Sequence, residues 1–383
     1  ADRIAAHLGL FDQVYGSSAT YNLKGANKAT FLIERLGQNG YDYMADDAVD
    51  WPVWQGARRI ITANASTGLI RKIDSTFQNA EHLTPQVFLE NVRCHVFALR
   101  PHQWLKNILV FLPLLAAHKF TIGTIAQSSL AFVAFSMVAS SVYLLNDLID
   151  MPYDRAHPRK KCRPFACGKV PITHGVLMAT SLFLAAIALS LRFLPLLFPF
   201  ILVVYYLTAV AYSLVLKRIL LLDIMVLTCF YTLRLLAGGS ATDLMPSAWL
   251  VAFSIFFFLS LALVKRQAEL LSTTAAGKTT EASGRAYEAR DLPMIQSMAT
   301  AAGYVSVLVL ALYISSETVQ KLYSAPYMLW LVCLLLLYWI SHILIKTHRG
   351  LMTDDPIVFA IKDKVSVLIG VMILGFVIAG SVL

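Results

Sequence analysis

Long apolar segments fill the chain from residue 104 to its end, and they restrict the fold more than any other feature. A membrane-spanning helix needs roughly 20 apolar residues, with a range of about 17–25. Charged residues make up only 14% of the chain, against about 25% in a typical soluble domain. We therefore predict a mainly α-helical fold, a bundle of nine transmembrane helices whose first member is short and partly interfacial, near 104–118, 124–147, 173–193, 197–216, 222–239, 247–265, 296–315, 326–346 and 364–382.

Basic residues are concentrated in every second loop, and this pattern predicts the orientation of the bundle. Cytoplasmic loops of membrane proteins carry an excess of Lys and Arg. The loops after the second, fourth, sixth and eighth segments are basic, whereas the other loops hold few cations. We expect a cytoplasmic N-terminus, an outer C-terminus and a bacterial-type inner (plasma) membrane. The net charge of +9 lies in these loops, so it does not indicate the basic soluble face of a nucleic-acid-binding protein.

The N-terminal part of the chain has the composition of a soluble protein. GANKATFLIERLG is typical of an amphipathic helix, YDYMADDAVDWPVW of a strand, an acidic turn and a helix start, and ARRIITANAS of a second strand. Alternating helices and strands indicate an α/β layer. The apolar residues that follow recur at helical spacing, which predicts an interfacial helix leading to the membrane. The predicted division is therefore 1–80, 81–103 and 104–383.

Three carboxylates follow the second apolar segment. On a helix, Asp147, Asp150 and Asp154 fall within about a 60° arc, with Asn146 beside them. Pro152 disfavours helix at the preceding residue, so we expect the helix to kink or end there. Carboxylates near hydrocarbon need compensation, and Mg²⁺, which binds carboxylates, water and phosphate oxygens, is the natural candidate. The alternative is a solvated loop whose acidic and basic residues pair with one another.

A run of cations comes directly after these carboxylates. Arginine is suited to bidentate contacts with phosphate, and lysine supplies a compact positive charge. The run consists of Arg155, Arg159, Lys160, Lys161 and Arg163. Carboxylates and cations together predict a site for a diphosphate carried by Mg²⁺.

Further charged residues are expected on the same side of the membrane. Asp223 opens the fifth segment, and Arg234 lies eleven residues later, on the same helical face and about 16 Å deeper. An arginine inside a spanning segment is a functional-site hypothesis, and a structural pair with a buried polar group is its alternative. For Arg100, headgroup contact is an equal explanation. The other candidates are Lys106, Lys265 and Arg266, then Arg285, Tyr287 and Arg290, and finally Asp354, Asp355 and Asp363, for which solvation explains the sequence equally well.

The pattern N-D-x-x-D-x-x-x-D-R at Asn146–Arg155 resembles the first aspartate-rich motif of the UbiA superfamily of intramembrane prenyltransferases. The resemblance covers residues from about 98 to the end, and it implies a nine-helix fold with a cytoplasmic active site. RPHQWLKN, NDLIDMPYDRAHPRKKCRPFACG and LRLLAGG are similar to the decaprenyl-phosphate phosphoribosyltransferase branch. That branch transfers 5-phosphoribose from phosphoribosyl pyrophosphate (PRPP) to a polyprenyl phosphate.

The resemblance implies roles for individual residues. The Mg²⁺ ligands are expected among Asn146, Asp147, Asp150 and Asp154. The three aspartates and Arg234 form the expected catalytic set. Phosphate groups are expected to contact Lys106, Arg155, Lys161 and Arg163, and the substrate-binding set is completed by Asn146, Asp223, Lys265 and Arg266.

One departure from the superfamily pattern favours PRPP as the donor. Aromatic prenyltransferases carry a second aspartate-rich motif after the sixth helix, where this chain has VKRQAEL. Two cations and one glutamate favour an additional phosphate over a second metal cluster, and PRPP has a 5-phosphate that a prenyl diphosphate lacks. We expect Mg²⁺-dependent transfer of 5-phosphoribose to a polyprenyl phosphate, with the lipid tail between helices. The alternatives are prenyl transfer to an aromatic or other acceptor, and transport or lipid binding without chemistry.

The N-terminal part resembles the C-terminal portion of a haloacid-dehalogenase-type (HAD) phosphatase. By that resemblance Lys24 or Lys28 is the phosphate-binding lysine, and Asp46 and Asp50 belong to the acidic Mg²⁺ motif, with Ala45 where glycine is usual. The nucleophile motif D-x-D-G-T does not occur in the sequence. Without that aspartate no phosphoaspartyl intermediate forms, so we expect a trimmed N-terminus or a vestigial lobe, and no phosphatase activity.

Overall fold

The computed structural model describes residues 5–6, 9–18, 21–83, 88–156, 160–275, 286–352 and 355–382. Arg159, Arg285 and Asp354, which were singled out above, lie outside the described residues. The chain divides into two compact units, Ala1–Asn91 and Val92–Leu383. Each unit has its own hydrophobic core.

The first unit is a small α/β layer on a three-stranded parallel sheet. The strands β1 (Asp42–Ala45), β2 (Arg59–Ala63) and β3 (Ala80–Leu83) lie in that spatial order. Parallel neighbours need crossover connections, and helices occupy them. Helix α1 (Ala26–Leu36) precedes β1, a 3₁₀ turn at Ala48–Asp50 and α2 (Trp51–Trp54) lie in the first crossover, and α3 (Thr67–Thr76) lies in the second. The predicted helix, acidic turn and two strands are observed, and α3 and β3 extend the layer. The likeness to HAD phosphatases stays a prediction.

Local signals explain where the helices of this unit begin and end. Gly37 follows α1 with φ 82°, a left-handed conformation that glycine adopts without a Cβ clash. Ser66 Oγ accepts a hydrogen bond from the Leu69 amide at the start of α3, which satisfies one of the free N–H groups of the first turn. Trp54 and Ile73, each at most 1% exposed, share one core.

The segment predicted as one interfacial helix at 81–103 is broken into several elements. Residues 81–83 belong to β3, and helix α4 spans Phe88–Ala98. Arg100 then adopts a left-handed conformation, with φ 53° and ψ 56°. Pro101 follows, and a residue before proline is disfavoured in the right-handed helical region. The predicted helix is therefore shorter than 81–103.

Eight helices of the second unit are long and apolar enough to cross a membrane, counted over the described residues. They are α6 (Ile122–Ile149), α8 (Ile172–Phe193), α9 (Leu197–Leu214), α10 (Leu222–Thr242), α11 (Ala248–Ala275), α12 (Leu292–Ile314), α14 (Leu329–His348) and α16 (Lys364–Val382). A shorter helix, α5 (Leu112–Ala116), precedes them, and α7 (Met151–Ala156), α13 (Glu317–Leu322) and α15 (Pro356–Lys362) lie between them. The eight long helices correspond to eight of the nine predicted segments.

The remaining predicted segment, 104–118, is not a continuous α-helix. A 3₁₀ helix covers Pro101–Phe111, and α5 begins at Leu112. Pro113 lacks a backbone N–H, so it is tolerated in the first turn of a helix and not in its interior. The change of helix type at Phe111 places this proline at the start of α5. The nine-helix count stays a prediction.

Helix α11 extends about three turns further than the predicted 247–265. It runs to Ala275, because the continuation KRQAELLSTTA contains several strong helix formers and neither glycine nor proline. Lys265 and Arg266 therefore lie within a helix and not at its end. Their side chains leave the helix in different directions, which decides their partners.

Helices α6 and α10 form the centre of the bundle, while α8 and α16 have few buried residues. Helix α10 also packs closely on the 3₁₀ helix. A Cβ atom added at Gly238 would lie 2.0 Å from the carbonyl oxygen of Val110. Only glycine permits this approach of the two backbones, which explains the small residue at this position of the LRLLAGG motif.

We expect Gly238→Ala to destabilise the protein by roughly 1–3 kcal/mol or more, because the added methyl group displaces a backbone segment. The measurement is the melting temperature of the purified protein in detergent. Gly375→Ala on α16 is the matched control, because the added carbon would have open space around it. Equal melting temperatures for the two variants would contradict the close approach.

Candidate active site

The aspartate-rich segment changes direction at Asp150. Helix α6 ends at Ile149, Asp150 is its C-cap with φ −83° and ψ 0°, and α7 starts at Met151. This is the break expected from Pro152. The aspartates consequently face different partners.

Asp147 and Asp154 are linked by one arginine. Both carboxylates are buried, each in a residue only 3% exposed. Arg163 Nη1 donates to Asp147 Oδ1 at 3.1 Å and to Asp154 Oδ2 at 2.6 Å. The loop that carries Arg163 is held by Phe165, which is 2% exposed and packs with Leu144. A basic residue of the predicted phosphate-binding run therefore contacts the predicted metal ligands.

Asp150 has a separate set of partners. Its carboxylate accepts a hydrogen bond from Asn146 Nδ2 at 3.0 Å and from Lys217 Nζ at 3.1 Å. Asp150 is also the more accessible of the three, with 26% of its side chain exposed. In the sequence, Lys217 stands out only as a cation of the basic loop after the fourth predicted segment. Its arrival here depends on the packing of α9 and α10, which no local pattern reveals.

Arg100 completes the cluster from the other side. Its guanidinium forms a bidentate ion pair with Asp147, in which Nε lies 3.2 Å from Oδ2 and Nη2 contacts Oδ1. A buried carboxylate that faces two arginines is strongly compensated. Arg100 thus has a protein partner in place of a lipid headgroup, and its role in the site stays a prediction. The left-handed backbone at this non-glycine residue is a second signal, since such conformations concentrate at functional sites.

The side chains of the aspartate-rich segment carry the types of oxygen atom that bind Mg²⁺. Carboxylate and amide oxygens are the ligands that Mg²⁺ prefers, and four such side chains lie between Asn146 and Asp154. Their charge is balanced instead by Arg100, Arg163 and Lys217. Over the described part of the chain, no three His, Cys, Asp or Glu side chains form a ready metal cluster. The Mg²⁺ ligands therefore stay a prediction.

Arg155 and Lys161, two further cations of the predicted run, are exposed. Arg155 Nε donates to the carbonyl oxygen of Ala166 at 3.2 Å, and its side chain lies at the surface. Lys161 is exposed in a 3₁₀ turn at Lys160–Cys162. Neither contacts the buried aspartates through a hydrogen bond or ion pair among the described residues. Both flank the site along the chain.

A second charged group joins the 3₁₀ helix, α11 and α15. Asp355 Oδ2 accepts from Lys106 Nζ at 2.8 Å and from Lys265 Nζ at 3.2 Å. Its other oxygen caps α15 by accepting from the Ile357 amide at 3.1 Å. Asp355 had been left open between function and solvation, and with 13% of its side chain exposed it is not an ordinary solvated residue.

The environment of Asp355 favours its charged form. Burial alone would raise the pKa of Asp355, but Lys106 and Lys265 outweigh it and lower the pKa to about 2. A lowered pKa in the folded state means that ionisation stabilises the fold. This contribution is present above the ordinary carboxyl pKa near 4 and is lost as the pH falls towards 2. Two lysines are thus held together by one permanently charged acid near neutral pH.

Arg266 belongs to a different group, in which it and Asp223 are buried. Arg266 Nη2 lies 2.5 Å from Asp223 Oδ2, and its Nη1 contacts Glu269. Arg266 and Asp223 are 1% and 0% exposed. Tyr287 Oη donates to Asp223 Oδ1 at 2.5 Å and accepts from the Leu221 amide at 3.0 Å. Burial and the hydrogen bond to Asp223 raise the pKa of Tyr287 well above its usual value. The predicted pairing of Lys265 and Arg266 on one phosphate does not fit this arrangement.

Arg234 lies in the middle of the bundle with every nitrogen engaged. Nε donates to Asn107 Oδ1 at 2.8 Å, Nη1 to the Phe230 carbonyl at 2.6 Å and Nη2 to Tyr205 Oη at 3.2 Å. The Tyr205 and Tyr231 rings lie 5.2 and 5.6 Å from its guanidinium carbon, within cation–π range. Arg234 therefore ties α10 to α9 and to the 3₁₀ helix. Its catalytic role stays a prediction.

The first unit brings together two of its four predicted site residues. Lys28 Nζ lies 2.8 Å from Asp50 Oδ1 and 2.8 Å from Tyr43 Oη. These contacts raise the pKa of Lys28 although burial opposes them. Lys24 and Asp46 are exposed. The pair alone does not assign a reaction to this unit.

Sequence comparisons place the chain among known proteins. The model of the UbiA prenyltransferase family matches residues 108–355. An uncharacterised protein, y4nM, of Sinorhizobium fredii is 35% identical over 375 residues, which is 97% of this chain and 72% of that protein. The nodulation protein NoeC of Azorhizobium caulinodans is 35% identical over 266 residues, 70% of this chain and 86% of NoeC. A decaprenyl-phosphate phosphoribosyltransferase of Mycolicibacterium smegmatis is 35% identical over 210 residues, 54% of this chain and 66% of that enzyme.

Structural comparison gives the same fold. A UbiA homologue from Archaeoglobus fulgidus, solved with GPP and Mg²⁺, superposes with a TM-score of 0.55 at 13% identity, over 75% of this chain and 98% of that one. A digeranylgeranylglyceryl phosphate synthase superposes with a TM-score of 0.54 at 18% identity, over 76% and 99% of the two chains. At these identities the likeness shows the fold and not the substrate.

Proposed function

This chain belongs to the UbiA prenyltransferase family, and we propose that it transfers 5-phosphoribose from PRPP to a polyprenyl phosphate and releases pyrophosphate. It is an integral membrane protein with eight candidate membrane-spanning helices among its described residues. We place the reaction at the cytoplasmic face, where the basic loops lie. Support for the donor comes from the similarity to decaprenyl-phosphate phosphoribosyltransferases and from the arrangement of cations.

The observation that carries the proposal is the number of cations around the aspartates. Lys106 and Lys265 share one acid, where aromatic prenyltransferases are expected to hold a second group of aspartates. A prenyl diphosphate has one cluster of phosphate charge, whereas PRPP has two at opposite ends of a ribose. We propose that Arg100, Arg163 and Lys217 serve the pyrophosphate end, and that Lys106 and Lys265 serve the 5-phosphate.

Ion pairs within the site suit an exchange of partners on binding. Each aspartate is compensated by arginine or lysine without substrate. When phosphate oxygens take over those cations, the carboxylates lose their compensation and become available to a metal ion. Mg²⁺, when bound, would neutralise phosphate charge on the donor. Asn146, Asp147, Asp150 and Asp154 are the residues that would hold it.

The transfer needs positioning more than proton chemistry. An oxygen of the polyprenyl phosphate forms a bond to C1 of the ribose, and the bond from C1 to the pyrophosphate oxygen breaks, with the electron pair leaving on pyrophosphate. The attacking phosphate is already anionic at neutral pH, so no strong general base is required. The protein contributes by orienting the two anions and stabilising the charge on the leaving group.

A transfer assay tests the proposal directly. Membranes containing the protein are incubated with labelled PRPP, a polyprenyl phosphate and Mg²⁺, and the label entering the organic phase is measured. We expect transfer that EDTA abolishes and that Asp243→Asn, at the other end of the bundle, leaves intact. Absence of transfer, together with prenylation of an aromatic acid from geranyl diphosphate in a parallel assay, would assign the chain to prenyl transfer instead.

Replacing Lys265 by Gln should raise the KM for PRPP about tenfold or more, because a hydrogen bond to a charged group contributes about 1.5–3 kcal/mol. The kcat should change little, since a remote phosphate contact is made equally in the ground and transition states. The measurement is the initial rate against PRPP concentration at saturating lipid. Lys321→Gln, on an exposed lysine of α13, is the charge-matched control.

Asp355→Asn separates the two functions of Asp355, which caps α15 and serves as the counter-ion of Lys106 and Lys265. Asparagine also caps helices well, so α15 should keep its start, while the two lysines lose their internal counter-ion. The KM for PRPP should therefore fall. A KM that rises as in Lys265→Gln would contradict the assignment of this lysine pair to phosphate.

For the first unit we propose a docking or regulatory role without phosphatase chemistry. The D-x-D-G-T nucleophile motif does not occur in the 383 residues, and the Lys28–Asp50 pair needs such a partner for phosphoryl transfer. The check is release of phosphate from phosphoribosylated lipid by this chain, which should not exceed that of a Lys28→Met variant.

A further inference from the structure

Helix α15 is held at both of its ends, and only one of these ends belongs to the candidate site. At its start, Asp355 lies between Lys106 and Lys265. At its other end, Asp363 is the C-cap residue. Solvation explains Asp363 equally well on the sequence alone, yet only 15% of its side chain is exposed. The partners of Asp363 decide what this second end contributes.

One carboxylate oxygen of Asp363 receives three hydrogen bonds. Oδ2 accepts from the Ser366 amide at 2.9 Å, from Ser366 Oγ at 2.8 Å and from His342 Nε2 at 3.1 Å. Burial alone would raise the pKa of Asp363, but these donors outweigh it and lower the pKa, so the residue is an anion near neutral pH. Because an ionised carboxylate only accepts hydrogen bonds, the proton of this contact lies on His342 Nε2.

His342 attaches this end of α15 to a neighbouring helix. Ser366 lies in the first turn of α16, so its two hydrogen bonds stay within the corner between α15 and α16. His342 belongs to α14 and is 21 residues away from Asp363 along the chain. Its side chain is 14% exposed, and its ring stacks on that of Tyr338, one turn earlier, with a centroid distance of 6.2 Å.

A continuous helical backbone joins the two ends of α15. The Phe359 amide donates to the Asp355 carbonyl oxygen at 2.9 Å, and the Asp363 amide donates to the Phe359 carbonyl oxygen at 2.9 Å. The Phe359 side chain packs against the core that contains Ile343 and Met352. The seven residues of α15 rise only about 10 Å. Each end of this short helix therefore constrains the position of the other.

We propose that His342 is a positioning residue for the 5-phosphate end of the donor site, because it fixes α15 and so places Asp355 between its two lysines. This inference rests on the proposed function and deepens it. When the contact between His342 and Asp363 is lost, Asp355 pairs less well with Lys106 and Lys265, and a donor phosphate displaces it more easily. His342 thus controls how strongly the empty site neutralises its own cations, and through this the affinity for the donor.

Steady-state kinetics of the full chain with PRPP test the proposal. His342→Phe keeps an aromatic ring beside Tyr338 but removes the donor to Asp363. The KM for PRPP should fall by about threefold, within the range of one hydrogen bond, while kcat stays unchanged because His342 does not touch the reacting atoms. His342→Gln presents an amide N–H near the position of Nε2 and should keep the wild-type KM.

Combining His342→Phe with Asp355→Asn identifies the route of the effect. In Asp355→Asn the two lysines have already lost their counter-ion, so the second substitution should change the KM no further. Substitutions that act through one shared contact are not additive, whereas a merely structural residue would shift the KM equally in both backgrounds. Ser341→Ala is the control on the same helix, because its hydroxyl contacts Tyr304 of α12 at 3.1 Å, and its KM should equal that of the wild type.

Hydrogen exchange of the unliganded protein gives a second readout that needs no substrate. His342→Phe should speed exchange of the α15 amides and leave those of α12 unchanged, since local opening depends on local contacts. Ser366→Ala, which removes another donor to the same oxygen of Asp363, should do the same and takes the place of His342→Phe if that variant does not fold.

Three results would each overturn the positioning role. They are wild-type exchange of α15 in the variants, a KM of His342→Phe that is unchanged or raised, and an equal KM shift in the two backgrounds. Absence of phosphoribosyl transfer by the unaltered protein contradicts the proposed function itself. A protein that transfers phosphoribose and keeps its KM in His342→Phe contradicts the positioning role alone, so the two failures are distinguishable.

Discussion

Replacing Asp147 by Asn should lower phosphoribosyl transfer by at least about 100-fold, the scale seen when one electrostatic contact to a transition state is removed. Asp147 is the carboxylate on which Arg100 and Arg163 converge. The amide keeps the shape of the side chain but removes the charge that holds both guanidinium groups and that would attract a divalent cation. The measurement is the initial rate of label transfer at saturating substrates, with and without added Mg²⁺.

The expected loss has to be separated from unfolding. Asp147 is almost completely buried, so its replacement leaves two arginines with weaker compensation and also lowers stability. Asp150→Asn is the second variant, because Asp150 is more accessible and, within the described part of the chain, its carboxylate pairs with Asn146 and Lys217. It should lose activity to a similar extent with a nearly unchanged melting temperature. An Asp150→Asn protein that is folded and retains more than a tenth of the activity would exclude this aspartate from catalysis.

Replacing Arg266 by Leu should destabilise the protein by about 3–5 kcal/mol, the usual consequence of leaving one partner of a buried ion pair without compensation. Asp223 and Arg266 are both inaccessible to solvent, and Tyr287 depends on the same carboxylate. We expect lower yield in detergent and a lower melting temperature. Any protein that remains folded should have a KM for PRPP close to that of the wild type.

The double variant Asp223→Asn, Arg266→Leu distinguishes a structural pair from a substrate contact. Removing both charges should recover much of the lost stability, because no isolated charge remains. Lys265→Gln, one residue away, is the positional control and should affect KM without a comparable loss of stability. If Arg266→Leu raises the KM for PRPP without lowering the melting temperature, Arg266 contacts a substrate phosphate and the structural assignment is wrong.

Sequence periodicity could predict the helices but not their irregular parts. Eight predicted segments correspond to long helices, because roughly 20 apolar residues leave few alternatives to a spanning helix. The 3₁₀ helix at Pro101–Phe111 packs closely against Gly238, a contact between residues far apart in the chain. Hydropathy could not predict the extension of α11 to Ala275. Hydropathy shows where a segment leaves the apolar layer, and a helix can continue beyond that point.

In the candidate site too, the sequence could predict local arrangements but not contacts between distant segments. Asp147, Asp150, Asp154 and Arg163 belong to one short stretch, so their spacing could predict that they lie near one another. Lys217 reaches the aspartate cluster, and Asp355 reaches Lys106 and Lys265, through the packing of distant helices, and a loop cation or loop acid gives no local sign of such a partner. Lys265 and Arg266 are adjacent in sequence, yet successive residues on a helix point about 100° apart, and this separates their roles.

The ion pairs of the proposed site bear on how the protein selects among the phosphates of the cell. Six contacts join its acids and bases: Arg100–Asp147, Arg163–Asp147, Arg163–Asp154, Lys217–Asp150, Lys106–Asp355 and Lys265–Asp355. An orthophosphate ion can take over the cations of only one or two of these ion pairs. The acids of those pairs then have no partner. A ligand with phosphates at both ends and an accompanying divalent ion can compensate the whole set. Abundant small anions should therefore compete poorly with the donor substrate. Only a ligand that compensates all of these charges together binds without leaving an acid or a base unpaired.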